Sequence, residues 1–225
     1  MPNSRTERRF NPLSGDWVLV SEGRTNRPWN GQVEPNVEQE VAPRYSENCH
    51  LCPGNTRVSG HKNTNYSGVY VFENDFPAIA RASTESPETD AGKPLYYRSE
   101  EEFGECRVVC FSDDHSLTLA QMTTSQIEPV IRCYQDQTDD LLSQPGLTHV
   151  QIFENRGAAM GCSNPHPHGQ IWAQSRAPSI PARECHAMSS YKRETGSSLL
   201  TDYCRDEANS EERVVCANEH FVAVV

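Results

Sequence analysis

No run of apolar residues in this 225-residue chain approaches the ~20 that a membrane-spanning helix needs. The opening stretch MPNSRTERRF carries basic residues with no apolar run behind them, so no secretory signal peptide is read there, and a cytoplasmic location is the expectation. Basic charge is also scarce, with 20 Lys and Arg against 31 Asp and Glu and a formal net charge of −11. Without a basic field to release counterions from a phosphate backbone, general nucleic-acid binding is not expected. A small phosphorylated substrate needs only a few local donors and stays open. Internal repeats and low-complexity tracts are missing as well. What remains is an ordinary globular composition, 36% hydrophobic and 23% charged, long enough for one large domain or two small ones. The nine Cys, an odd number in a chain without a secretory leader, read as reduced thiols rather than a disulfide framework. The sequon Asn65-Tyr66-Ser67 is then a chance match.

Apolar runs bounded by turn residues predict strands at Trp17–Val20, Val69–Phe72, Arg107–Phe111, His149–Phe153 and Gln170–Ala173. Between the third and fourth, Ile127, Val130, Ile131, Tyr134 and Leu141 are spaced for one buried helix face. Ser125 with Glu128 would form a capping box, with Pro129 in the first turn. Asn30–Ser46 and Ala82–Lys93 are polar and rich in Pro, Glu and Thr, and read as loops. After a break at Ala177–Pro181 come a helix around Ala182–Arg193, a polar stretch, and strand-like runs at Arg213–Ala217 and Phe221–Val225. Strands with few helices between them predict an α+β domain with a mainly antiparallel sheet.

The densest chemistry lies in Gly161-Cys162-Ser163-Asn164-Pro165-His166-Pro167-His168-Gly169-Gln170. On an extended segment, His166 and His168 would project to the same face. Each follows a proline, which weakens strand pairing and suggests an edge or a bulge. Gly169 would let a phosphate approach the backbone. Neutral imidazole is a good nucleophile near neutral pH and afterwards leaves easily from phosphorus, so it suits reversible transfer between two phosphates. Ser163 and Gln170 would offer neutral donors to phosphoryl oxygens. The plainer reading is two exposed histidines in a Pro-rich loop, but the small and polar neighbours favour a site.

This decamer closely resembles the active-site sequence of the galactose-1-phosphate uridylyltransferases, a branch of the histidine-triad superfamily. The resemblance continues through Arg9–Leu13, Trp17–Val20, Arg27-Pro28-Trp29, Val71–Phe76 and Val150–Met160, in family order along the whole chain. It implies a half-barrel antiparallel sheet with flanking helices over residues 1–178, followed by the start of a second, similar domain over 179–225. Complete family members run well over a hundred residues further, so the resemblance implies weak or no transferase activity for this stretch alone. The implied reaction moves UMP from UDP-glucose to galactose 1-phosphate through a uridylyl-histidine, in a homodimer. His168 matches the nucleophile, and His166 a metal ligand whose carbonyl orients the nucleophilic ring. Gln170 and Ser163 match phosphate contacts, Gly161 and Cys162 line the same loop, and Asn155 matches a further substrate contact. Asn74 and Asp75 match the uridine-binding pair, Val58 a residue near the uracil, and Arg24 and Arg27 basic residues that reach substrate phosphate from the partner subunit. Histidine-triad hydrolases carry a third His where Gln170 stands, and an amide cannot protonate a leaving group. The resemblance therefore implies a transferase.

Cys49-His50-Leu51-Cys52 is a C-x-x-C, weak by itself among nine Cys. In the family such a pair joins a His from a run like Ser112–Ser116, here His115, and the first His of the decamer, here His166. Two thiolates with two imidazoles would make a closed structural zinc site, with His50 a bystander. Glu184 matches a ligand of a second family metal, iron or zinc, whose histidine partners would lie beyond residue 225. Without them it reads as a solvated helix side chain. Two rivals remain at this point: another nucleotidyltransferase or phosphorylase of the superfamily, acting on an adenine nucleotide, or an inactive UDP-sugar-binding partner subunit.

Overall fold

A computed structural model describes residues 5–24, 28, 31, 42–81, 94, 96–162 and 164–225. The chain divides into two compact units, residues 35–177 and residues 1–34 with 178–225. The first unit is built on a four-stranded antiparallel sheet of β3 (Tyr70–Glu73), β4 (Gly104–Cys110), β6 (His168–Gln174) and β5 (His149–Phe153), in that spatial order. In the second unit β1 (Thr6–Phe10) pairs with β2 (Trp17–Ser21), and β7 (Val214–Ala217) with β8 (Val222–Val224), both antiparallel. Two helices, α2 (Ser179–Thr195) and α3 (Leu199–Ser210), complete it. Among the described residues no helix is long and apolar enough to cross a membrane, and all nine cysteines are free of disulfides.

Because side chains alternate along a strand, pairing register alone sorts the two faces of the central sheet. Val109, Ile171 and Ala173 point to one face and are fully buried with Phe111, Val130 and Leu141. Val130 and Leu141 come from α1 (Thr124–Ser143), which covers that face, so its apolar stripe serves as the sequence predicts. Arg107 fixes the helix from the sheet, with contacts of 2.6 Å each to Glu105, Asp140 and Gln137. Pairing of Cys110 with His168, Val108 with Gln170 and Cys106 with Trp172 sends all six to the opposite face.

Several sequence expectations change here. The α1 cap is Thr123 with Gln126, not Ser125 with Glu128, and Pro129 therefore lies inside the helix rather than in its first turn. The polar stretch after α2 is a helix, α3. β6 is interior, not an edge, because Pro165 and Pro167 both precede its first residue and leave every ladder N–H in place. His166 is not on the strand either. Its N–H donates to Asn164 Oδ1 (2.9 Å) in a side-chain-closed turn ahead of β6.

Candidate functional site

His168 opens β6 on the face away from α1, and its Nδ1 lies 2.7 Å from the His166 carbonyl oxygen. A carbonyl can only accept, so Nδ1 carries a proton, and the neutral ring keeps its lone pair on Nε2. The ring lines an open cleft together with Asn155, Gly161, Cys162, Asn164, Gly169 and Gln170. Asn155 follows β5, which neighbours β6, and Gly161 turns the intervening loop through a positive φ of 75°. Gln170 stands two residues beyond His168 on the same face, and its Oε1 accepts from Asn74 Nδ2 at 3.3 Å. The structure thus brings His168, Gln170, Asn155, Gly161 and Cys162 together, with Asn74 behind them.

Asp75 is turned to Arg57, whose guanidinium sits 3.1 Å from its carboxylate and 4.2 Å from the Phe72 ring centroid. Both side chains are nearly buried, at 12% and 13% exposure. Val58 follows Arg57 and is exposed. Ser163 and Arg27 lie outside the described residues. Arg24 ends a short 3-10 turn, Glu22–Arg24, and Glu184 lies on α2, both in the other compact unit. Among the described residues Glu184 joins no group of three or more metal-binding side chains.

Gly169 lines the cleft and also borders the core. A Cβ there would meet the Phe111 ring and the Phe153 carbonyl at 3.0 Å each, so a larger residue would crowd the core.

Behind the cleft, Cys49, Cys52, His115 and His166 are all buried and hold their ligand atoms within 4.8 Å of one another. Cys52 Sγ is 3.5 Å from His115 Nδ1 and 3.6 Å from His166 Nδ1. A four-coordinate ion with bonds of about 2.3 Å to sulfur and 2.0–2.1 Å to nitrogen sets neighbouring S and N roughly 3.5–3.6 Å apart, so the spacing fits a shared metal. Tautomers agree. His166 Nε2 faces the Ser112 carbonyl at 3.0 Å and must donate to it, which frees Nδ1 as a ligand. Tyr66 Oη, anchored on the Leu51 carbonyl at 2.6 Å, packs beside His166 Nε2. Burial pushes His166 down to about 4 and His115 down as well, so both rings are neutral near pH 7. Burial also pushes the Cys52 thiol up to about 11. A bound cation is what would offset that cost and hold the thiolate. The cluster can bind a metal ion. His50 is no part of it, its Nδ1 engaged by the Thr56 carbonyl at 3.0 Å.

Sequence reasoning did not single out Asn164, Arg57, Tyr66 or Trp172. Asn164 lies inside the decamer and its side-chain oxygen accepts from both His166 N and Cys49 Sγ, a role its position alone could have suggested. Arg57 and Tyr66 act across loops, Trp172 acts along its own strand on Gln170, and none of the three carries a local signature.

An antiparallel α+β unit with one tautomer-fixed histidine in a cleft, backed by a Cys₂His₂ cluster, is the class that fold and site define. Residues 2–178 match the family described as galactose-1-phosphate uridyl transferase, N-terminal domain, and the chain belongs to that family. It is 47% identical to a galactose-1-phosphate uridylyltransferase of Haemophilus influenzae, over 100% of this chain and 62% of that protein. It is 40% identical to the one of Saccharomyces cerevisiae, over 99% of this chain and 63% of the relative. The chain thus spans less than two thirds of the length of these relatives. In fold it is similar to an ADP-glucose phosphorylase from Arabidopsis thaliana with bound ADP-glucose (TM-score 0.66, 24% identity, 98% of this chain and 63% of that one).

Proposed function

We propose that this chain carries the nucleophilic part of a UDP-glucose–hexose-1-phosphate uridylyltransferase that moves UMP to galactose 1-phosphate. The observation that carries the reading is the 2.7 Å contact of His168 Nδ1 with the His166 carbonyl inside the cleft. It leaves the Nε2 lone pair to attack the α-phosphorus of a UDP-sugar. A P–N bond forms, the bond from α-phosphorus to the bridging oxygen breaks, and the sugar 1-phosphate departs. An oxygen of the second sugar phosphate then attacks, the P–N bond breaks, and neutral imidazole is restored with its Nδ1 proton unmoved. Gln170, an amide without a titratable proton, donates hydrogen bonds to phosphoryl oxygens without protonating the leaving group, which favours transfer over hydrolysis. Asn155, Gly161, Cys162 and Ser163 would line the phosphates. Asn74, Asp75 and Val58 would hold the uridine, and Arg24 and Arg27 would reach substrate phosphate across a homodimer.

Zinc is the proposed occupant of Cys49, Cys52, His115 and His166. Four protein ligands leave no open coordination position, so its contribution is to hold these segments together. Glu184 is proposed as one ligand of a second metal whose other ligands lie outside this chain. Residues 1–178 are taken as the uridylyltransferase domain in this reading, residues 179–225 as part of a second, and the cytoplasm as its place.

Incubation with UDP-glucose followed by intact mass measurement tests the proposal. An acid-labile uridylyl adduct on His168, absent in His168→Asn, is expected. An adduct on another residue, or its formation from ADP-glucose in preference, would overturn it. The second outcome would favour the adenine-nucleotide alternative, which the likeness to the ADP-glucose phosphorylase keeps in view as a fold relative.

A further inference from the structure

Trp172 takes no part in the chemistry above, yet its indole N–H donates to Gln170 Oε1 at 3.0 Å. An indole nitrogen can only donate, so the Gln170 atom that faces it has to be the oxygen. Asn74 makes the same demand independently. Its Oδ1 is taken by the Phe76 N–H at 2.9 Å, which leaves Nδ2 as the end that reaches Gln170 Oε1 at 3.3 Å. Two donors therefore converge on one carbonyl oxygen, and the amide nitrogen is the end of Gln170 left for the cleft that it lines. Trp172 is itself held. Its ring meets Phe153 edge to face, with centroids 5.3 Å apart and planes at 82°, and Phe153 is the cross-strand partner of Gln170.

We propose that Trp172 is a positioning residue that locks the Gln170 amide with its N–H₂ toward the substrate phosphate. The proposal rests on the phosphate-binding role given to Gln170 above. A flipped amide would present a carbonyl oxygen to phosphoryl oxygens and replace attraction by repulsion, so the orientation decides whether Gln170 helps or hinders.

The test is a double-mutant cycle of Trp172→Phe and Gln170→Ala, read on the rate of adduct formation with UDP-glucose and, by calorimetry, on the affinity for UMP. Phenylalanine keeps an aromatic ring beside Phe153 and removes the donor. Trp172→Phe alone should lower both readouts about tenfold, the scale of one well-placed hydrogen bond. In the Gln170→Ala background it should change neither. Equal losses in both backgrounds, or no loss in the first, would overturn the proposal by making Trp172 a packing residue. If Trp172→Phe does not fold, 3-benzothienylalanine at position 172 keeps the bicyclic shape without the N–H and runs the same cycle. The two readouts separate the two claims. An unmodified protein that binds UMP and forms no adduct defeats uridylyl transfer, while the coupling of the two positions in UMP affinity still decides the role of Trp172.

Discussion

A methyl group added at Gly169 would stand 3.0 Å from both the Phe111 ring and the Phe153 carbonyl oxygen, in a part of the core where Phe111 is 1% exposed. A rigid backbone oxygen on one side leaves little room to yield. Gly169→Ala should therefore cost about 1–3 kcal/mol of stability, the range for overpacking. Urea unfolding checks this through a lower midpoint at unchanged slope, and an unshifted midpoint would mean that the sheet gives way more easily than this packing suggests. His166 makes a different claim at the same scale. An unfolded imidazole titrates near 6.5, whereas burial takes native His166 down to about 4. Between those values the unfolded chain binds a proton that the native state refuses. In chelator-treated protein, stability should be fully present above pH 6.5 and fall by up to about 3 kcal/mol as pH drops to 4. The depressed His115 adds in the same direction. Unfolding of the metal-free protein at a series of pH values measures the slope, and a flat profile across that window would contradict it.

Between elements, the loop that starts at Cys52 delivers Arg57 to Asp75 just past the end of β3, with both side chains shielded from water. Removing one partner of such a pair strands the other charge. Arg57→Ala and Asp75→Ala should each cost about 3 kcal/mol, with a coupling above 1 kcal/mol in the double mutant. A coupling near zero would mark the contact as an ordinary surface pair. Nothing local in the sequence announces this pairing, because an Arg in a loop and an Asp past a strand are each unremarkable until the fold joins them. β4, β5 and β6 were legible because their β-branched and apolar residues run in short stretches bounded by turns. β1 was hidden in Thr-Glu-Arg-Arg-Phe, whose three central residues are all charged, and it exists by pairing with β2. α3 was hidden because a core position is filled by Glu207, 3% exposed and bound to Arg213 at 2.7 Å, so its buried face does not look apolar. The cluster and His168 were legible through family resemblance. The two-residue offset of the α1 cap arose because Thr123 with Gln126 and Ser125 with Glu128 offer the same box, and periodicity cannot choose between starts so close.

At the scale of the whole molecule, the four metal-binding side chains come from three separated stretches of the chain, and one ion would tie them together. A ligand that binds only the native state raises stability by mass action. Zinc should bind one ion per chain and raise the melting temperature, and chelation should reverse this. Cys52→Ser should abolish both effects, as metal analysis and thermal unfolding in parallel would record. A purified protein without stoichiometric metal, whose melting point ignores added zinc, would count against the site. His166 stands where this cluster meets the cleft, with its ring toward Cys52 and its carbonyl oxygen on His168. Those two services differ in how heredity can reach them. A codon change at 166 can delete the imidazole, but every amino acid it could encode brings a carbonyl of its own. The acceptor that sets the tautomer of His168 is therefore beyond the genetic code to remove and only within its power to displace. Scanning mutagenesis of position 166 would report a metal ligand and stay blind to the second role, which an ester bond in place of the 166–167 peptide, with its weaker acceptor, would expose.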